Sequence, residues 1–197
     1  MSLWKSKDEF PGSISLPYGI KTSHTWHEIG QILRVINDLD IQTFVELGAH
    51  VGGLASILLP VNRYRDFVYF GVEHKEEIIH PTIRDRIYIA DIFNIETVET
   101  IKRVKMNRKT FIYCDNGDKV KEMWYYLSTL NSGDVIACHD YYDGQDVYGL
   151  KNFGLDDSCG CKPEVWKDDL LPFSGVEFEP LPAYLLEGTR IMGFTKI

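Results

Sequence analysis

The sequence predicts an α/β fold built on a mostly parallel central sheet with helices on both faces. Three observations carry this expectation. Apolar runs of strand length alternate with helix-like stretches from about residue 26 to residue 140, the βαβα pattern of a covered parallel sheet. Phe67 to Val72 (FVYFGV) is continuously apolar, as a strand buried on both faces reads. Four successive predicted strands end in an acid (Glu46, Glu73, Asp91 and Asp115) and the fifth ends in His139-Asp140. In an open parallel sheet those ends face one crevice.

Each element follows from its local pattern. His27 to Leu39 places Ile29, Ile32, Leu33 and Ile36 at helical spacing. Thr43 to Leu47 is the first strand, and Leu54 to Leu59 begins a crossover helix that Pro60 helps to end. Phe67 to Val72 is the second strand and Arg86 to Ala90 the third; Ile95 to Lys105 is a charged amphipathic helix. Thr110 to Cys114 is the fourth strand. Lys119 to Leu130 is a helix that leaves through Asn131-Ser132-Gly133, with glycine suited to a left-handed cap. Asp134 to Cys138 is the fifth strand. The glycine-rich, aromatic stretch 141–162 reads as a long loop of the functional kind. A short helix over Pro163 to Leu171 and two strands, Gly175 to Glu179 and Thr189 to Lys196, complete the chain; Pro180 and Pro182 break structure between them and Glu187-Gly188 makes a turn.

The 197 residues suit one domain, 1–197. A net charge of −8 disfavours nucleic acid, whose binding needs Lys and Arg on phosphates. The densest basic stretch, Lys102 to Lys109, reads as a solvated helix end. No apolar run approaches the ~20 residues of a membrane span, and the first residues, MSLWKSKDEFPGS, lack a secretory pattern. A cytoplasmic chain with no membrane partner is expected. Cys114 and Cys138 lie in apolar runs and are expected in the core. Cys159-Gly160-Cys161 has the wrong spacing for a structural zinc.

The turn after the first strand, Gly48-Ala49-His50-Val51-Gly52-Gly53, is neither a Walker loop nor G-x-G-x-x-G, because His50 stands at the second glycine. Glu46 beside it would repel a pyrophosphate. Glu73, ending the second strand, is placed to accept two ribose hydroxyls. A nucleoside with a positive tail and no phosphates fits best.

These residues carry a family resemblance. Glu46 to Gly53 followed by Ser56 resembles the first motif of class I S-adenosylmethionine (SAM)-dependent methyltransferases. Its E-x-G-x-x-x-G-G form is closest to the branch of macrocin-type O-methyltransferases and cephalosporin hydroxylase-like proteins. Cys114 to Asp118, then a helix, then Leu130 to Tyr141 (LNSGDVIACHDY) resembles that branch's second block. The resemblance spans about residues 26 to 197, by motif order more than by identity. It implies a Rossmann-like sheet with an antiparallel C-terminal strand, SAM as cofactor and a small-molecule acceptor.

Roles carried over residue by residue give a concrete site. Gly48, His50 and Gly52 would bring the backbone to the methionine part of SAM. Glu46 would accept from its amino group. Glu73 would bind the ribose, His74 would flank the adenine, and Asp91 and Ile92 would meet its edge and face. Asp115 would face the methionine end or the acceptor. His139 is the expected base, with Asp140 orienting it or sharing the role. Tyr141, Tyr142 and Tyr148 would line an acceptor pocket or pack a lid. His24 and His27 would fold over the cofactor or, as the favoured expectation, lie at the surface or a helix start. Trp124-Tyr125-Tyr126 is expected in the core or at a subunit contact, compatible with a homodimer.

Two departures from the branch stand out. His50 is larger than the usual residue, and Asn116-Gly117-Asp118 displaces the histidine of the second block. In that branch an acid after the fourth strand and paired acids after the fifth bind magnesium. The positions here are Asp115, His139 and Asp140, and a histidine weakens an oxygen-ligand site. A metal-free site is therefore favoured over Mg2+. The leading function is O-methylation of a small molecule, a sugar or secondary metabolite. The alternative is a catalytically inactive member of the fold with a nucleoside-binding or structural role. A dinucleotide oxidoreductase is disfavoured by the poor glycine fingerprint.

Overall fold

A computed structural model describes residues 14–16, 19–22, 24–63, 66–142, 165–166, 169–170, 173, 177–186 and 189–197. The strands are β1 (Ile14–Ser15), β2 (Lys21–Thr22), β3 (Thr43–Leu47), β4 (Val68–Glu73), β5 (Ile87–Ile89), β6 (Thr110–Cys114), β7 (Val135–Cys138), β8 (Tyr141–Tyr142), β9 (Val165–Trp166), β10 (Phe178–Pro180) and β11 (Met192–Lys196). The α-helices are α1 (Trp26–Asp38), α2 (Gly53–Leu58), α3 (Ile95–Lys105), α4 (Lys119–Tyr126) and α5 (Ala183–Leu186).

Seven strands form the main sheet in the order β10-β11-β7-β6-β3-β4-β5. The strands β3 to β7 are mutually parallel, and β11 runs antiparallel to β7 and to β10. The chain fills one side of β3 with β4 and β5 and the other with β6 and β7. That reversal is a topological switch point, and it opens at the carboxyl ends of β3, β4 and β6.

Alternation along each strand feeds two cores. From α1, the residues Ile29, Ile32, Val35 and Ile36 pack with Phe44, Phe111 and Tyr113. On the other face, Val98 and Ile101 of α3 and Met123 and Tyr126 of α4 pack with Val45, Leu47 and Ile112. All five residues of β3 are buried, as a central parallel strand requires. A reciprocal cap starts α1. Thr25 Oγ1 accepts from the Glu28 amide at 3.1 Å, and Glu28 Oε2 accepts from the Thr25 amide at 2.8 Å.

The predicted elements shift mostly by a residue or two. The crossover helix is one residue earlier and continues as a 3-10 turn over Leu59–Arg63. The helix expected to reach Leu130 ends at Tyr126 and tightens into a 3-10 turn over Leu127–Thr129. Gly133 has the expected left-handed backbone, φ 85°. Two expectations are corrected, and one element was unforeseen. The helix expected over 163–171 is replaced at Val165–Trp166 by a short strand, which pairs in parallel with β8. The β1–β2 hairpin was not legible in the sequence. Lys105, read as part of a solvated helix end, is buried; its ammonium lies 2.7 Å from Asp134 Oδ2 and also donates to the Thr129 carbonyl. Asp134 in turn accepts from the Thr110 and Asn131 amides, so this pair ties the starts of β6 and β7 together. The expectations for Tyr148, for Cys159 and Cys161, and for the Glu187-Gly188 turn fall outside the described residues. No helix among the described residues is long and apolar enough to cross a membrane.

Candidate active site at the carboxyl edge of the sheet

The glycine-rich turn leaves β3 with a run of left-handed residues: Gly48 at φ 92°, His50 at φ 49° and Gly52 at φ 88°. Gly48 is also sterically obligatory. A Cβ there would lie 2.7 Å from Asn116 Cα and from the Asp115 carbonyl oxygen. Glu73 holds the turn from the neighbouring strand. Its Oε2 accepts from the His50 amide at 2.8 Å, and its Oε1 accepts from the His74 and Lys75 amides at 2.9 and 3.1 Å. The His74 Nδ1 lies 3.0 Å from the same Oε1. So the acid at the end of β4 is a buried acceptor beside the turn.

Glu46 sits one strand over, 2% exposed, with the Tyr69 hydroxyl donating to its Oε2. Burial pushes its pKa up to about 8; the Tyr69 hydrogen bond works the other way, and the nearby charges of Asp115 and Glu73 push it up again. Glu46 is thus mostly a neutral acid at pH 7.

A second group lies between β6, β7, α1 and the segment before β11. His139 is buried, with Nδ1 3.2 Å from Asp115 Oδ1 and 3.5 Å from Asp140 Oδ1, and Nε2 3.4 Å from Glu28 Oε1. The guanidinium of Arg190 lies 3.3 Å from Glu28 Oε1 and 2.9 Å from Asp140 Oδ1. The ammonium of Lys119 lies 3.3 Å from Asp140 Oδ2 and 3.8 Å from Asp115 Oδ1, and it donates to the Asn116 carbonyl at 2.9 Å. Asp140 itself is left-handed, φ 58°, a conformation Asp tolerates better than most residues. Three carboxylates therefore face three cations, and each carboxylate touches at least two of them.

This wiring pushes the two site histidines in opposite directions, with the Arg190 guanidinium also 3.2 Å from His139 Nε2. Burial opposes a charge on His139, but Asp115 and Asp140 outweigh it and push its pKa up to about 10. His24 stacks on that ring at a centroid distance of 4.6 Å and hydrogen-bonds to the Tyr113 hydroxyl at 3.0 Å. Burial, and then the His139 charge, bring His24 down to about 4. Burial alone would raise Glu28 and Asp115; His139 instead holds both below the usual carboxylate range, with help from Arg190 for Glu28 and from His24 and Lys119 for Asp115.

The residues expected at the site divide into three. Asp115, His139 and Asp140 come together, with Glu46 close enough for Asp115 to shift it. Gly48, His50, Gly52, Glu73 and His74 form the adjoining turn. Asp91 stands apart: it is exposed, and its Oδ1 accepts from the Phe93 amide at 2.8 Å in a local turn before α3. Ile92 is buried in the core on the α3–α4 face. His24 corrects the expectation of a surface or helix-start residue, because it is 3% exposed at the centre of the group. His27 is exposed as expected. Tyr126 is core, while Trp124 and Tyr125 are partly exposed. Sequence reading missed Glu28, Lys119 and Arg190. Thr25-x-x-Glu28 is a capping-box pattern, a signal that would have placed Glu28 at a helix start but not in the site.

Between the two groups lies a cavity of about 20 Å3, lined by Lys21, Thr22, His24, Gly48, His50 and Asp115 among others. That is room for one water molecule. A Cβ on Gly53 would lie 2.4 Å from Thr22 Cβ, so β2 itself rests directly on the end of the turn.

No protein-family model and no curated protein matches the chain. Solved structures do. CmcI in its N160 apo form is 12% identical and superposes at TM-score 0.64, over 91% of this chain and 75% of that one. CmcI in its D160 form with magnesium and SAM is 13% identical, at TM-score 0.61 over the same shares. A Staphylococcus aureus protein described as a caffeoyl-CoA O-methyltransferase is 11% identical, at TM-score 0.62 over 89% of this chain and 85% of that one. This chain has the class I methyltransferase fold. The mostly parallel sheet and the antiparallel C-terminal strand are as expected.

Within the methyltransferase fold, two metal arrangements can be tested against these residues. Magnesium wants near-octahedral oxygen ligands. Of the three resemblance-implied positions, His139 offers a protonated imidazole, and both Asp115 and Asp140 already hold the Lys119 ammonium. That set does not fit magnesium. His24, Asp115 and His139 bring three ligand-type atoms within 4.8 Å of one another, a composition known from transition-metal sites. Their imidazole planes are only 25° apart in a stack, so the in-plane lone pairs do not converge on one ion.

Proposed function

We propose that the protein is a SAM-dependent methyltransferase acting on an oxygen of a small molecule, a sugar or secondary metabolite. The observation that carries this reading is the placement of Glu73. It ends β4 at the switch point and is hydrogen-bonded to the left-handed turn that follows β3. In this reading Glu73 receives the ribose hydroxyls, His74 flanks the adenine with Asp91 and Ile92 beyond it, and the turn 48–53 carries the methionine end. Glu46 meets the ligand's ammonium group and loses its proton to do so. SAM supplies the activated methyl group when bound. The chain's own residues orient the acceptor oxygen in line and exclude water. Asp115 and Asp140 supply the carboxylates that face the acceptor, and Asp140, expected to share the role of base, takes the proton the acceptor oxygen releases as its bond to the methyl carbon forms and the carbon–sulfur bond breaks. His139, protonated at neutral pH, acts as a fixed cation that aims Asp115 and Glu28, and it gives up its expected role as base. In this reading the chain acts in the cytoplasm; among the described residues Cys114 and Cys138 are buried free thiols, which a reducing compartment preserves.

One observation favours the second reading, a catalytically inactive member of the fold. Ligand pockets hold roughly 300–1,000 Å3, against about 20 Å3 here. A nucleoside enters only if Lys21 to His24 withdraw from the turn. Calorimetric titration with S-adenosylhomocysteine and with NADH decides between the readings, followed by labelled methyl transfer from SAM to a panel of alcohols. Homocysteine-nucleoside binding with transfer supports the enzyme. Binding without transfer supports the second reading. Binding of neither supports the second reading in its structural form, and binding of NADH alone refutes the enzyme.

A further inference from the structure

We propose that Lys119 is the resident cation of this centre: its ammonium fills an oxygen-lined seat between Asp115 and Asp140, so the site works without a divalent metal. The seat is built from the loops after β6 and β7. Lys119 is 4% exposed, and its donors reach Asp140 Oδ2 at 3.3 Å, the Asn116 carbonyl at 2.9 Å and Asp115 Oδ1 at 3.8 Å. Two oxygens of the kind that bind hard cations, Asp140 Oδ2 and the Asn116 carbonyl, lie within hydrogen-bond reach of the ammonium, and Asp115 Oδ1 faces it at ion-pair distance.

Helix preference does not explain this residue. Lys119 is the first residue of α4, where Asp118 is the N-cap. A cation at a helix N-terminus is opposed by the macrodipole. The carboxylates must therefore hold it there. Arg190 closes the other side of Asp140 at 2.9 Å. Charge balance points the same way. Asp115 and Asp140 face the fixed charge of Lys119, and Asp140 and Glu28 face that of Arg190. A divalent ion entering between Asp115 and Asp140 would compete with the Lys119 ammonium for the same oxygens.

Lys119 is thus a positioning residue that holds two carboxylates at a fixed separation, as a metal would. Its consequence for turnover rests on the methyltransferase reading; the occupancy of the seat does not. The test is titration of the full chain with Mn2+, followed by electron paramagnetic resonance and by thermal melting. It compares wild type, Lys119→Met, Lys119→Arg and Asp115→Asn. Removing the ammonium opens the seat. Lys119→Met is expected to take up one Mn2+ at least about tenfold more tightly than wild type, and Mn2+ should raise its melting temperature. The Lys119→Arg variant should behave as wild type. A wild-type chain that binds one Mn2+ as tightly as Lys119→Met overturns the proposal. So does a wild-type Mn2+ site that Asp115→Asn abolishes, and that result stands whether or not Lys119→Met folds. Titration of the same samples with S-adenosylhomocysteine reports separately on the methyltransferase reading.

Discussion

A ligand ammonium at Glu46 has a measurable proton cost. Glu46 is buried, accepts from Tyr69, and has a pKa of about 8. At pH 7 a group with that pKa is about 90% protonated. A neighbouring cation favours the ionised form, so binding of S-adenosylhomocysteine should expel up to about 0.9 proton at pH 7. Affinity should then rise by nearly one log unit per pH unit below pH 7 and flatten above about pH 8. The sign follows from the direction of the shift: as pH falls below the raised pKa, more proton must be removed on binding, and affinity drops. Calorimetry in two buffers of different ionisation enthalpy reads the proton directly. Tyr69→Phe removes the one hydrogen bond that lowers the Glu46 pKa, so the rise should move to higher pH. A buffer-independent enthalpy together with a flat affinity from pH 6.5 to 8 would refute a Glu46–ammonium contact.

Three further outcomes are expected. Asp134→Ala leaves the buried Lys105 ammonium uncompensated and should cost about 3–5 kcal/mol in urea unfolding; a loss below about 1 kcal/mol contradicts the pairing. His50 has a left-handed backbone, so His50→Val should lose about 1–2 kcal/mol, while His50→Gly should be nearly neutral because relief of strain offsets chain entropy; equal losses for both would show that the backbone is not the cause. The buried network should give a stability optimum in mild acid. His139, raised to about 10 from 6.5, contributes fully below pH 6.5 and loses that contribution as pH rises through 10. Glu28 and Asp115, both lowered, contribute above the ordinary carboxylate range and lose it on acidification. The urea midpoint should therefore peak between about pH 4.5 and 6.5 and fall on both sides; a midpoint still rising toward pH 9 contradicts the assignment of His139.

The sheet was legible because its central strands are buried on both faces, and that requirement writes continuous apolar runs such as FVYFGV and TFIYC into the sequence. The acids at the strand ends were legible as the points where those apolar runs break, although Glu46 and Glu73 are themselves buried. Asp91 has a local duty as well: its carboxylate accepts from the Phe93 amide in the turn before α3. What binds across the chain left no local mark. Glu28 and His139 are 111 residues apart and Glu28 and Arg190 are 162 apart, so no window contains them. Glu28 satisfied a local rule with one oxygen and the site with the other. Lys119 did leave a sign, a lysine where the helix dipole disfavours one, beside the block that departs from the family pattern.

The most direct test of the account is the structure of the chain with S-adenosylhomocysteine bound. The account predicts the nucleoside at the carboxyl ends of β3 and β4, its ribose hydroxyls on Glu73, and Lys21 to His24 displaced from the glycine-rich turn. Saturating ligand with that segment still seated on the turn, and density elsewhere or nowhere, would contradict it.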